Sequence, residues 1–363
     1  MLIIIVWPYS FMVKINRQWL YYFLGLVVVV GIYLVYLDFL SKTAWNGVNE
    51  SNSASSTPEF IYFSALDGRG VTSSEKVTPQ VVAVMIDNHI DARPQSGLAV
   101  ASVVYEVPVE GSITRFMALY DGDDLVEEVG PVRSARAYYL DWLSEYGDAL
   151  YLHVGGSPEA LNLIKKRSIF DANEFYWGSY YWRASRHFAP HNVYIKSENW
   201  QKIVTNNFDK HPFRPWEGWK FEGGVKSLGE PVEEVKIKYD PVWGYNAGWK
   251  YVPTTEKFVR YVNNIKHLDY NGNEILADNV VVQTVKIKTI DDYGRQAITT
   301  VGEGDMFILK NGYRVDGRWK KESLVSRTRF YDKAGQELTL LPGKTWVQIV
   351  AASTVIETTG VNE

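Results

Sequence analysis

Gly130-Pro131-Val132-Arg133-Ser134-Ala135-Arg136 sets two guanidinium groups and a hydroxyl just behind a Gly-Pro step. Proline suits the first position of a helix, and Val132, Ala135, Tyr139, Trp142 and Tyr146 recur at helical spacing, which predicts a helix opening at Pro131. Arginines in the first turns oppose the helix dipole, so a compensating anion is expected beside them. Arg133, Ser134 and Arg136, with free backbone amides, could hold a phosphate or carboxylate. The competing reading is internal: Asp87, Glu106 and Glu110 stand at or near strand ends, and an arginine–carboxylate network would satisfy the same charges. His153-Val154-Gly155-Gly156-Ser157-Pro158-Glu159 offers a second anion seat, because a glycine pair at a strand-to-helix turn lets a ligand approach the backbone. Arg115 and His153 are placed near both. Ser157 before Pro158 reads as a helix cap, and the G-x-S-x-G elbow of a catalytic serine is missing.

Paired carboxylates are the alternative chemistry. Glycoside hydrolysis needs two acids at a set distance, and Asp87, Glu106, Glu110, Asp141 and Glu145 are available, with His153 as a further acid–base candidate. Solvated or salt-bridged carboxylates are the plainer explanation. His187 and His191 stand four apart, but Pro190 breaks a helix between them and no H-E-x-x-H pattern is present, so no metal site and no cofactor are expected. His191-Asn192 and Asp87-Asn88 could instead line a pocket. Farther on, Gly317-Arg318-Trp319-Lys320-Lys321-Glu322 and Ser326-Arg327-Thr328-Arg329-Phe330-Tyr331 interleave bases with aromatics. This suits sugar stacking or, more plainly, cross-strand packing.

These residues need elements to carry them. Val81–Ile86, Val103–Val109 and Thr114–Tyr120 read as strands, Ala149–Val154 as a strand entering a helix capped by Ser157, and Ser197 to about Asn206 as another helix. Residues 211–234 are rich in Pro and Gly and read as a connector. Beyond it, short strands recur at Val235–Tyr239, Phe258–Val262, Val280–Ile290, Ala297–Val301, Met306–Leu309, Thr328–Tyr331, Glu337–Leu341 and Thr345–Val350. Asn271-Gly272, Asn311-Gly312 and Asp316-Gly317 are read as hairpin turns between them.

Upstream, Trp19 to Leu37 contains nineteen residues and no charge, enough at about 1.5 Å per residue to cross a hydrocarbon core of roughly 30 Å. Lys14 and Arg17 precede it and Asp38 follows, so the N-terminus is expected in the cytoplasm and the rest outside. A cleaved signal peptide and a buried core helix are weighed against this; bulky residues follow the span and it lacks a polar stripe. Met12 opens a more ordinary anchor than Met1 does. The chain has no cysteine, which removes disulfides, thiol catalysis and cysteine-linked lipid. With 46% hydrophobic and 22% charged residues over 363 positions the body is globular, and a net charge of -4 gives no case for nucleic acid.

The motifs taken together are similar to the YerB-like lipoproteins, a bacterial family whose two domains have no assigned activity. The resemblance rests on V-M-I-D-N at 84–88, A-R-P-Q-S-G-L at 92–98, V-Y-E at 104–106, V-E-G-S-I-T-R-F at 109–116, G-P-V-R-S-A-R at 130–136, H-V-G-G-S-P-E-A at 153–160 and P-H-N at 190–192. It continues in N-V-V-V-Q at 279–283 and from G-R-W-K-K-E-S to P-G-K-T-W over 317–346. It implies an exported envelope protein, with a protein helix in place of the lipid-bearing cysteine.

The resulting expectation is an α+β protein: cytoplasmic residues 1–18, a transmembrane anchor over 19–37, a disordered tether over 38–78, a mixed α/β domain over 79–210, the connector, a mainly antiparallel β domain over 235–352, and a tail over 353–363. Its expected role is binding or scaffolding at the cell membrane. Arg133, Ser134, Arg136, Gly155, Gly156 and Arg115 would recognise an anionic ligand, cell-wall polymer or envelope protein. The alternative is an envelope hydrolase using Asp87, Glu106, Glu110 or His153.

Overall fold

Eleven strands, some short, form one sheet: β1 (Val81–Asp87), β2 (Val103–Pro108), β3 (Thr114–Asp121), β4 (Leu150–His153), β5 (Asp171–Asn173), β6 (Glu230–Pro231), β7 (Asn279–Val285), β8 (Gly302–Lys310), β9 (Tyr313–Lys321), β10 (Arg329–Asp332) and β11 (Thr345–Ala351). The computed structural model describes residues 26–27, 29–35, 37, 62–207, 209–223, 229–239 and 244–360. In space the order is β6-β9-β8-β7-β11-β2-β3-β1-β4-β5, with β10 beside β9. The β7–β11, β11–β2, β1–β4 and β4–β5 pairs are parallel; the others are antiparallel. The protein is thus mixed α/β with mostly strands, and its C-terminal part is largely antiparallel.

The pairing of β11 with both β7 and β2 carries the sheet through the boundary expected at the connector. Residues 81–173 and 279–351 share one hydrogen-bonded surface, and Phe60–Glu363 forms one compact unit. The β-branched runs explain why. VVAVMI on β1 and NVVVQTV on β7 bury both faces, which fits central strands covered on each side. One face is filled by Val82, Val84, Phe116, Trp249 and Trp346, the other by Met85, Met117, Tyr105, Trp142 and Trp319. A second sheet, built from Glu234–Lys238, Ala247–Val252, Lys257–Val262, Ile265–Lys266, Leu276–Ala277 and Val355–Thr359, adds Val235, Ile237, Trp249 and Phe258 to the first face.

The helices are short: α1 (Tyr139–Leu143), α2 (Pro158–Lys166), α3 (Glu174–Trp177) and α4 (Ser197–Asn207). Ser157 caps α2 as read, its hydroxyl accepting from the Ala160 amide at 3.2 Å. Three expectations change. Residues 62–77 do not belong to a tether: Tyr62–Phe63 pairs with Gly70–Val71, and Leu66 is fully buried. The connector is not loose, since Trp216 and Trp219 are buried and their indoles donate to Pro79 O and Thr328 O. Asp316-Gly317 is no turn but lies inside β9, facing β10, whereas Asn311-Gly312 makes the two-residue hairpin with φ of 48° and 77°.

Of the predicted span, residues 26, 27, 29–35 and 37 are helical and exposed, and the remainder lies outside the described residues. Among the described residues no helix is long and apolar enough to cross a membrane.

Candidate functional site

Asp87 ends β1 directly opposite Arg115 on β3, and both side chains point to the sheet face that carries Met85 and Met117. Residues 129–136 then cross the ends of these strands. Val132 N donates to Val193 O at 2.7 Å, Arg133 N to Met85 O at 2.8 Å and Ala135 N to Gly155 O at 3.0 Å, while Arg133 O accepts from Val154 N at 3.1 Å. The helix expected from Pro131 is therefore absent. Its donors and acceptors are claimed by strand ends, the chain stays extended with Val132 and Ala135 buried, and helical residues begin only at Tyr139. The dipole argument for an anion falls with that helix, but the two arginines still reach one place.

That place is a cleft of about 590 Å³ lined by Asp87, Glu110, Arg115, Arg133, Ser134, Arg136, Gly156 and Arg295, with His89, His191 and the start of α2. Four arginines face two carboxylates across it. Asp87 is buried; its Oδ2 lies 3.0 Å from Arg133 Nε and 2.7 Å from His191 Nδ1, and its Oδ1 accepts the His89 amide at 3.0 Å. Burial alone would push its carboxyl up, but the His191 hydrogen bond, the Arg115 charge, the His89 amide and Arg133 outweigh burial and hold it at about 2. Arg136 grips Glu110 with two bonds, Nε–Oε1 at 2.6 Å and Nη2–Oε2 at 3.0 Å. Burial opposes that ionisation too, yet the arginine brings Glu110 below the ordinary carboxylate range. Arg115 Nη1 donates to Ser134 O at 2.9 Å.

The internal network is thus real, yet it leaves charge over. Among the described residues Arg133 pairs with Asp87 alone, the closest contact being 3.0 Å from Nε to Oδ2, and its side chain remains a quarter exposed. Arg295 arrives from the second segment, on the Ile287–Thr289/Gln296–Ile298 hairpin, and pairs with Asp291. The N-terminus of α2 adds the favourable end of a helix dipole for an anion.

The other candidates lie elsewhere. Glu106 points to the opposite sheet face, fully buried; its oxygens accept from Arg260 Nη2 at 2.8 and 2.7 Å, Thr114 Oγ1 at 2.8 Å and Trp346 Nε1 at 3.1 Å. It cannot share a substrate with Asp87. His153 is buried, tied to Gly155 O at 2.7 Å and Asp171 Oδ2 at 3.2 Å. Gly155 spends its amide on Asn173 Oδ1, and a Cβ there would meet the Phe175 ring at 2.9 Å, so packing rather than ligand approach requires this glycine. Asp141 and Glu145 pair with Arg167 and with Lys321 and Arg327. Sequence reasoning missed His89 and Arg295; for Arg295 no local signal exists, since only the fold of a distant hairpin brings it to the cleft.

Residues 66–211 match the family described as "Protein of unknown function (DUF3048) N-terminal domain", and residues 235–347 match its C-terminal domain. The YerB protein of Bacillus subtilis (strain 168) is 30% identical over 294 residues, covering 77% of this chain and 84% of that protein. The chain belongs to the YerB-like family. The crystal structure of YerB from Bacillus subtilis superposes with a TM-score of 0.71 at 28% identity, covering 81% of this chain and 99% of that one. The shared fold therefore spans both matched segments of YerB-like proteins, in keeping with a sheet that runs through them.

Proposed function

We propose that the protein is an extracytoplasmic envelope component whose arginine cleft recognises an anionic group on a cell-wall polymer or envelope partner. The observation that carries the reading is Arg133: its Nε stands 3.0 Å from Asp87 Oδ2, and its side chain, a quarter exposed, lines the cleft beside the α2 N-terminus. A guanidinium already oriented by a carboxylate loses little freedom on meeting an oxyanion. The location is supported by a relative described as a candidate lipoprotein and by the uncharged stretch Trp19–Leu37, which we assign as a single membrane span with the body outside. A hydrolase is less well served. A general acid needs a raised pKa, whereas against their burial Asp87 is lowered first by the His191 hydrogen bond and Glu110 by Arg136, and Glu106 is sealed off.

The test is co-sedimentation of the full chain in detergent with purified cell wall at low and high salt. Retention that falls with salt and drops about tenfold or more in Arg133→Ala, read at a temperature where circular dichroism shows the variant folded, is expected, since a charge-assisted hydrogen bond contributes about 1.5–3 kcal/mol. Equal retention by the variant ends this reading, and release of wall fragments establishes the enzyme instead.

A further inference from the structure

At the rim of the cleft the turn after β1 faces the loop that carries His191. His89 and His191 stack with ring centroids 4.6 Å apart and planes 16° from parallel. Asp91 follows on the single 3-10 turn Ile90–Ala92, which His89 caps. One nitrogen from each imidazole and one Asp91 carboxylate oxygen lie within 4.8 Å of one another.

Two features of the surroundings point to a cation. First, His191 Nδ1 is 2.7 Å from Asp87 Oδ2. An ionised carboxylate only accepts, so Nδ1 carries the hydrogen and the lone pair of a neutral ring sits on Nε2. A carboxylate behind an imidazole in this way orients metal-ligating histidines, fixing both tautomer and ring angle. Asp87 also receives the backbone amide of His89 at 3.0 Å, so one buried group braces both histidines. Second, His89 Nδ1 accepts from the Asp91 amide at 3.2 Å and stands 3.4 Å from Asp91 Oδ2. A metal at Nδ1 would displace that amide from the ring's lone pair and draw Asp91 Oδ2 in beside it.

We propose that His89, Asp91 and His191 bind a divalent first-row transition metal, with zinc as the best-suited ion and Asp87 as the positioning residue behind His191. Two imidazoles and one carboxylate are an N/O donor set that zinc accepts, with remaining positions open to water or an anion. Bonds of about 2.0–2.2 Å require donors nearer together than the 4.8 Å limit. Asp91 is the group free to close that gap, its side chain being 71% exposed. The sequence reading passed over the site because it sought a second histidine near His191 along the chain. The partner comes instead from residue 89, across the cleft.

The experiment uses the full chain, free of any histidine tag, stripped with chelator and held in detergent without phosphate. Calorimetric titration with zinc chloride is expected to give one ion per chain. Binding should weaken at least tenfold in His191→Ala and in Asp91→Asn, and about 10–100-fold in Asp87→Asn, the range for groups behind a ligand. Cobalt(II) should develop visible absorption bands at one equivalent, and His89→Ala should abolish them. Melting without metal establishes that each variant is folded, and the exposed Asp91 guarantees at least one that is. Absence of stoichiometric zinc binding, or zinc binding unchanged in both His191→Ala and Asp91→Asn, overturns the proposal. Zinc alone is the probe, so its failure is separate from failure of wall retention.

Discussion

Glu106→Gln separates a structural carboxylate from a catalytic one. Glu106 and Arg260 are each fully buried, the guanidinium lying 5.5, 5.8 and 4.9 Å from the Phe116, Trp249 and Trp346 ring centres. Removing the negative charge leaves Arg260 charged in an aromatic cage and turns one acceptor oxygen into a donor facing its Nη2, Thr114 Oγ1 or Trp346 Nε1. Breaking a buried pair by removing one partner costs about 3–5 kcal/mol. For a body of this size each kcal/mol moves Tm by about 1.5–2 °C, so a fall of roughly 5–10 °C is expected. Guanidinium unfolding followed by circular dichroism should show the lower midpoint with an unchanged slope. Glu106→Gln/Arg260→Met should recover part of the loss, since the stranded charge is then gone. A single variant within about 1 kcal/mol of the parent would refute this role for Glu106 and return it to the list of groups free for chemistry.

The remaining predictions address the cleft, a strand contact and the seam. The Asp87 carboxyl is lowered from 3.8 to about 2, so its contribution of about 2 kcal/mol is complete above pH 4 and disappears as pH falls from 4 through 2; stability measured from pH 6 to pH 2 should fall less steeply in Asp87→Asn. Gly317→Ala places a Cβ 2.0 Å from Tyr331 O and should cost about 1–3 kcal/mol or more by parting β9 from β10, read as a lowered Tm. A fragment ending at residue 234 should show no cooperative melt on its own, because β2 loses its parallel partner β11 and Glu106 loses Arg260 and Trp346; a sharp transition with near-ultraviolet dichroism would refute that.

What the sequence disclosed follows how local each signal is. VVAVMI, VVYEVP and NVVVQTV are β-branched runs that specify buried strands without help from afar, and all three are strands. Ser157-Pro158-Glu159 carries its own cap and begins a helix where expected. The stretch from Val132 to Tyr146 failed because a 3.6-residue spacing of apolar side chains also satisfies an extended segment followed by a short helix; the hydrogen bonds that decide it come from Met85, Val193 and Gly155. Tyr313–Lys321 was missed since its buried positions, Val315, Trp319 and Lys321, include a charged one, and Lys321 reads as surface until Glu145 is known to sit opposite at 2.6 Å. For the site, Asp87, Glu110, Arg115, Arg133, Ser134, Arg136 and Gly156 do meet. Strand alternation could have excluded Glu106 had the pairing of β1 with β3 and of β3 with β2 been known: Asp87 lies opposite Arg115 and Glu106 opposite Phe116, so the two acids face opposite sides.

That alternation also explains how a rigid core can serve a charged cleft. On one face the β2–β3 pair buries Glu106 against Arg260 and Trp346, both from the C-terminal segment, tying that segment to the strands beneath the site. Lys344 reinforces the seam, donating to Leu98 O and Ala99 O at 2.6 Å each, while Asp269 accepts the amides of residues 97, 98 and 99. On the other face β1 and β3 present Asp87 and Arg115, and the C-terminal segment returns over them with Arg295. The cleft therefore needs both matched segments, one for its floor and one for part of its wall. Arg133 is held by Asp87 at the end of β1 and Arg136 by Glu110 on the turn after β2, so these two charges are displayed on side chains already fixed, and the anion proposed to bind there would order little.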